Sequence, residues 1–127
     1  PDALPPERAL LKPLACAVDS YAAIAPSPGE GIVVLHCGFF GLLLIQLLSR
    51  LAAPRWLLAV VRSEHSLGRP LHFGVTAACS LDQVHRRVVE LSGGSGADIT
   101  VEVTGAEQPL AWAASLTREE GTLAIVG

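Results

Sequence analysis

An unbroken apolar run at residues 32–35 leads through two glycines, Gly38 and Gly41, into a leucine-rich segment that ends before Pro54. The run is rich in β-branched residues and suits a strand covered on both faces, whereas the leucine-rich segment is typical of a buried helix. Residues 31–49 carry no formal charge, but their polar and glycine interruptions favour this strand and helix over a membrane span. The predicted unit is therefore a strand, a glycine turn and a buried helix in direct succession.

The rest of the chain repeats this alternation of strand and helix patterns. Residues 4–24 predict a leading helix that Pro13 breaks or restarts near Lys12, followed by a turn. The other predicted elements are strands at 56–61, 77–79, 99–103 and 122–126, a weak helix at 66–73, and helices at 81–91 and 106–116. Such an order implies a parallel sheet with right-handed crossovers. The predicted fold class is α/β, a Rossmann-type doubly wound parallel sheet of about five strands.

The composition indicates which partners and which cellular compartment to expect. The net charge is −3 and the nine Lys and Arg residues are scattered, which argues against nucleic acid as a partner. The three cysteines are widely spaced and odd in number, so we expect buried free thiols in a reducing cytoplasm and neither disulfides nor a metal knuckle. Only 17% of the residues are charged, which predicts an apolar face that another part of a protein covers.

The turn between the first strand and the buried helix carries the main functional signal. In a GxGxxG fingerprint the first glycine makes the tight turn, the second lets a pyrophosphate approach, and the third lets helix and strand pack closely. Gly38 and Gly41 occupy the last two positions, and His36 stands in place of the first. Packing alone would also explain the glycines, but the position after the first strand favours a dinucleotide. The predicted loop residues are His36, Cys37, Gly38, Phe39, Phe40 and Gly41.

The end of the second strand bears on the choice of cofactor. An acidic residue there binds the ribose 2′-hydroxyl of NAD, but this chain has Arg62 and Ser63. A guanidinium pairs with a 2′-phosphate, which favours NADP and leaves NAD open. The alternative is that Arg62 is simply a solvated residue at a strand end.

Several segments, in this order and spacing, resemble the coenzyme domain of the medium-chain dehydrogenase/reductase superfamily, in particular its zinc-type sorbitol- and alcohol-dehydrogenase-like members. The segments are residues 12–18, 28–30, 38–41, 91–98, 104–105 and 121–127. The resemblance implies a two-domain oxidoreductase that passes hydride between a nicotinamide and a zinc-bound alcohol or carbonyl. Residues 1–30 would then link to a catalytic domain outside this chain, and residues 31–127 would form the coenzyme domain, ending before a sixth strand.

The resemblance also implies roles for single residues. The 38–41 loop would face the pyrophosphate, Arg62 and Ser63 the adenosine ribose, Thr104 and Gly105 the adenine side, and Val126 the nicotinamide. Lys12 stands where many members have a glutamate that can reach zinc, and an ammonium cannot ligate a metal, so zinc dependence is in question. The chain itself would have no catalytic residues, and a small-molecule substrate would bind through the other domain.

Two other functions stay open at this point. An S-adenosylmethionine-dependent methyltransferase also has a glycine-rich turn after its first strand, but normally an acidic residue after its second. A reductase-like fold without cofactor, acting as a structural module, would explain His36 and Lys12. The sheet edge would also allow a homodimer. Asp98 and Glu102 share a strand face, where we expect a strand-end aspartate and a rim glutamate and no catalytic pair.

Overall fold

The computed structural model describes residues 11–36, 38–103 and 107–126, without the side chains of residues 11, 64 and 107–109. Helices and strands alternate along this part of the chain. The helices are α1 (Leu11–Ile24), α2 (Phe39–Leu51), α3 (Gly68–Leu71), α4 (Val84–Ser92) and α5 (Glu107–Leu116). The strands are β1 (Gly31–Leu35), β2 (Trp56–Val61), β3 (Ala77–Ser80), β4 (Ala97–Glu102) and β5 (Thr117–Ile125). Short 3-10 turns, Glu64–Ser66 and Leu81–Gln83, precede α3 and α4.

The five strands form one sheet in the order β3-β2-β1-β4-β5, and every neighbouring pair is parallel. The chain moves outward from β1 through β2 to β3 and then crosses to the other side of β1 for β4. Connections therefore leave β1 and β4 in opposite directions, which opens a crevice at the carboxyl ends of these two strands. The predicted fold class, an α/β doubly wound parallel sheet, is confirmed.

Two hydrophobic cores cover the two faces of the sheet. Alternate residues of β1, Ile32 and Val34, pack with α2 and the end of α1, whereas Val33 and Leu35 pack with α4 and α5. All residues of β1 and β2 are buried. These continuous apolar strands lie at the centre of the sheet because a strand covered on both faces has no polar side to turn outward.

Helix α2 is less buried than its apolar sequence predicts. The predicted buried helix, α2, buries one face through Leu44, Ile45 and Leu48 and leaves Leu51 64% exposed. Pro13 lies within α1, which continues to Ile24. None of the described helices has the length and apolar character needed to cross a membrane.

The amino end of the sheet is held by Asp98, at the start of β4. One carboxylate oxygen accepts a hydrogen bond from the Gly31 N–H at 2.7 Å, and the other accepts one from the Arg118 Nε at 2.6 Å. Because Gly31 begins β1 and Arg118 lies in β5, this carboxylate joins three neighbouring strands. The Gly31 hydrogen bond is the main reason that the pKa of Asp98 lies below its ordinary value, and Arg118 lowers it further.

Candidate functional site

The turn between β1 and α2 lies in the crevice at the carboxyl end of β1. His36 follows the strand with φ of 64°, a left-handed conformation that glycine adopts freely and other residues rarely do. The first glycine of a dinucleotide fingerprint would stand here. His36 therefore has the left-handed backbone that a glycine at this position would adopt freely.

The two remaining glycines have different surroundings. Gly38 is the N-cap of α2 and is exposed, and a Cβ added to it would meet no atom within 4 Å. Gly41, one turn into the helix, is buried. The open space at Gly38 allows a ligand to approach the backbone, and the burial of Gly41 allows α2 to pack closely, as the second and third glycines of the fingerprint require.

The first residues of α2 extend this turn. Phe39 is 56% exposed, and Phe40 is half-buried. Because Gly38 has no side chain, the start of α2 has no side-chain cap. The Gly38 N–H donates a hydrogen bond to the His36 carbonyl at 2.9 Å. The N–H groups of the first turn of an α-helix have no partners within the helix, so this end of α2 attracts an anion.

The pKa of the His36 imidazole depends on its burial and on two charged residues. Both of its nitrogens are buried and have no hydrogen-bond partner among the described residues, although the residue as a whole is partly exposed. Burial lowers the pKa of His36 below its ordinary value, the charge of Glu102 acts to raise it, and the charge of Arg62 lowers it. The ring therefore lies within electrostatic reach of a carboxylate on one neighbouring strand and a guanidinium that follows the other.

Glu102 is the residue of this site that sequence reasoning missed. It ends β4, pairs in register with Leu35 and Ile125, and is fully buried, so the expected rim position is wrong. Its carbonyl accepts a hydrogen bond from Val126 at 2.9 Å. The signal in the sequence was a carboxylate at the last position of the strand, which on an outer strand would point to solvent. Asp98 lies at the opposite end of β4, so the two carboxylates do not form a pair.

Arg62 and Ser63 follow β2 at the same edge of the sheet, and both are exposed. The charge of Arg62 acts on His36, which places the guanidinium near the β1–α2 turn. Val126 follows β5 at this edge, is half-buried and packs against the core on the α2 side. The structure thus brings these residues and the turn to one edge. Cys37, Thr104 and Gly105 lie outside the described residues.

The sequence predicts no metal ligands in this chain, and it predicts buried free thiols for its cysteines. Within residues 11–36, 38–103 and 107–126, no group of three or more His, Cys, Asp and Glu side chains could hold a metal ion. Lys12 is exposed on α1. Cys79 is buried and burial raises the pKa of its thiol, whereas Cys16 is exposed, so the expectation of a buried thiol is confirmed for Cys79 and wrong for Cys16.

Known proteins with similar sequence and structure are dehydrogenases and reductases. D-xylulose reductase A of Aspergillus niger is 29% identical over 122 residues, which make up 91% of this chain and 34% of that protein. The alcohol dehydrogenase of Thermus sp. ATN1 superimposes with a TM-score of 0.83 at 26% identity, covering 98% of this chain and 38% of that one. A protein described as a zinc-binding dehydrogenase from Sinorhizobium meliloti, solved with NADP, matches with a TM-score of 0.77 at 25% identity, over 91% of this chain and 34% of that one.

These matches define which part of a dehydrogenase the chain resembles. No family model matches it. The chain spans about a third of the length of the curated relatives. Its sheet order and its glycine turn agree with the resemblance predicted from the sequence. In sequence and in fold the chain is therefore similar to the coenzyme-binding domain of the zinc-type alcohol-dehydrogenase-like proteins of the medium-chain dehydrogenase/reductase superfamily.

Proposed function

We propose that this chain binds a nicotinamide dinucleotide in the crevice between the carboxyl ends of β1 and β4, as the cofactor-binding part of an oxidoreductase. The observation that carries the proposal is the β1–α2 turn. Its three fingerprint positions have the properties that dinucleotide binding needs: a left-handed turn at His36, open space at Gly38 and close packing at Gly41. The matched protein from Sinorhizobium meliloti was solved with NADP, which supports the same class of ligand here.

The residues of the turn would bind the diphosphate. The backbone N–H groups that begin α2 and the positive end of its helix dipole favour a doubly charged group. Val126, at the end of β5, would lie toward the nicotinamide. The bound cofactor would accept or donate a hydride, and an alcohol or carbonyl substrate would bind through a part of the protein outside this chain.

Arg62 would select NADP. An exposed guanidinium at the end of β2 can form a charge-assisted pair with a 2′-phosphate, whereas NAD offers only a hydroxyl there. We expect Arg62→Ala to weaken NADPH binding by about tenfold, the lower end of the range for a charge-assisted hydrogen bond, and to leave NADH binding nearly unchanged. Arg69→Ala is the matched control, because Arg69 is exposed on α3 in the same β2–β3 connection.

A fluorescence titration with NADPH, NADH and S-adenosylmethionine tests the proposal. We expect saturable binding of the two nicotinamide dinucleotides, with NADPH bound more tightly. Binding of S-adenosylmethionine alone would point to the methyltransferase alternative. A folded chain that binds none of the three would be a structural module, and the proposal would be wrong. Circular dichroism of the same sample establishes that the chain is folded.

A further inference from the structure

We propose that His36 senses protons in the nucleotide site, so that its protonated imidazole binds the cofactor's diphosphate and the affinity for the dinucleotide falls as pH rises. This inference rests on the proposed function. It adds a ligand contact and a regulation that glycine at this position cannot provide.

The position of the His36 ring suits a contact with a phosphate. His36 occupies the first fingerprint position, where the chain makes its tight turn, and has φ of 64°. Both ring nitrogens are buried without a hydrogen-bond partner among the described residues, and a buried polar atom left in this way is costly. A phosphate oxygen would supply the missing acceptor, and the imidazolium form can donate from both nitrogens.

The charge of Glu102 also favours a protonated His36. Glu102 is fully buried at the end of β4 and its charge acts on His36. A buried carboxylate close to a diphosphate would repel it, because charges interact strongly where water is excluded. A protonated His36 would add a positive charge to the site, which offsets part of this repulsion and attracts the diphosphate. The neutral ring would add no such charge.

The direction of the pH effect follows from linkage. In the free protein, burial and the Arg62 charge lower the pKa of His36, and Glu102 acts against them. A bound diphosphate adds negative charge and raises this pKa. The affinity for the dinucleotide is therefore highest below the pKa that His36 has in the free protein. It falls as pH rises from this pKa to the higher pKa that His36 has in the complex, and it is constant above that. If binding raises the pKa by about one unit, the affinity changes by about tenfold between the two limits.

The first test is a titration of NADH at fixed ionic strength from pH 5 to 8.5, a range we choose to bracket the ordinary histidine pKa of about 6.5. NADH is the probe because its diphosphate does not titrate in this range, whereas the 2′-phosphate of NADPH does. We expect the affinity of the unchanged protein to fall by about tenfold, and His36→Asn to bind with little pH dependence. Asparagine suits this test because it tolerates left-handed backbone and does not become charged. His72→Asn, a change of an exposed histidine after α3, should keep the full pH profile.

The second test follows the histidine directly by NMR. The ring signal that disappears in His36→Asn identifies His36 among the four histidines. We expect its pKa to rise when NADH is added, and the pKa values of the others to stay constant. A pKa of His36 that does not rise, or the same pH profile for binding in His36→Asn as in the unchanged protein, would overturn the inference while leaving the proposed function intact. Absence of NADH binding at every pH, in protein shown to be folded, would instead refute the proposed function.

Discussion

Replacing Asp98 by asparagine tests whether one carboxylate holds three strands together at the amino end of the sheet. Asparagine has nearly the same shape but no charge. Its oxygen can still accept the Gly31 N–H, whereas its amide NH₂ then faces the Arg118 guanidinium, which is also a donor. The substitution therefore weakens one hydrogen bond and removes the other, without creating a cavity.

The magnitude follows from the two contacts. A hydrogen bond to a charged group contributes about 1.5–3 kcal/mol and a neutral one about 0.5–1.5 kcal/mol, so the bond from Gly31 loses about 1 kcal/mol. The pair with Arg118, whose side chain is 36% exposed, contributes about another 1 kcal/mol after allowance for solvent. We expect a loss of about 2 kcal/mol at pH 7, and a melting temperature lower by about 8 °C for a chain of this length.

The effect should depend on pH in a defined direction. The pKa of Asp98 is depressed in the folded chain, so its stabilising contribution is complete above the ordinary value of about 3.9 and is lost as pH falls through the folded value. The difference between the two proteins, measured by urea unfolding, should shrink below about pH 4. Asp19→Asn, which removes an exposed charge on α1, should cost less than about 0.5 kcal/mol. A difference of the same size at pH 7 and well below pH 3, or none at pH 7, would refute the reasoning.

Further predictions concern glycines and thiols. Gly31→Ala should destabilise the chain by about 1–3 kcal/mol in urea unfolding, because the new Cβ would clash with the Trp56 indole; an unchanged midpoint would contradict this packing. Gly38→Ala should change stability little, because a Cβ there meets nothing within 4 Å, yet weaken NADPH binding in a fluorescence titration; unchanged affinity would count against the site. With a thiol reagent, Cys16 should react in the folded chain and Cys79 only after unfolding, as peptide mass spectrometry can show; equal rates would contradict the burial of Cys79.

The centre of the sheet could be predicted from local sequence because its strands have no polar residues to make their assignment ambiguous. β2 has the predicted bounds, and Gly93 ends α4 in a left-handed conformation, as a glycine after a helix predicts. β5 was predicted to begin at residue 122 but begins at Thr117. The first half of β5 contains charged residues, a composition that is typical of a turn. Glu120 in this half also has a positive φ, which is unusual in a strand. It joins the sheet through pairing of Thr117 with Ala97 and the ion pair of Arg118 with Asp98, contacts that local sequence does not reveal.

The backbone turn of the site could be predicted from the sequence, whereas the charged surroundings of His36 could not. The positions of Gly38 and Gly41 indicated the turn, because their spacing reflects the geometry of a strand followed by a helix. The surroundings of His36 could not be predicted, since they depend on Glu102, which is 66 residues away in the sequence and lies on the adjacent strand. The burial of Glu102 depends on the sheet order, which places β4 beside β1 and not at an edge.

The central claim is that a nicotinamide dinucleotide binds at the carboxyl edge of this sheet. An amide NMR titration of the isotope-labelled chain with NADPH tests both the binding and its place. We predict saturable shifts at Gly38, Gly41 and Arg62, with Gly31 and Asp98 at the opposite edge unchanged. Shifts centred on Gly31 and Asp98, or no saturable shift in a spectrum of folded protein, would contradict the account.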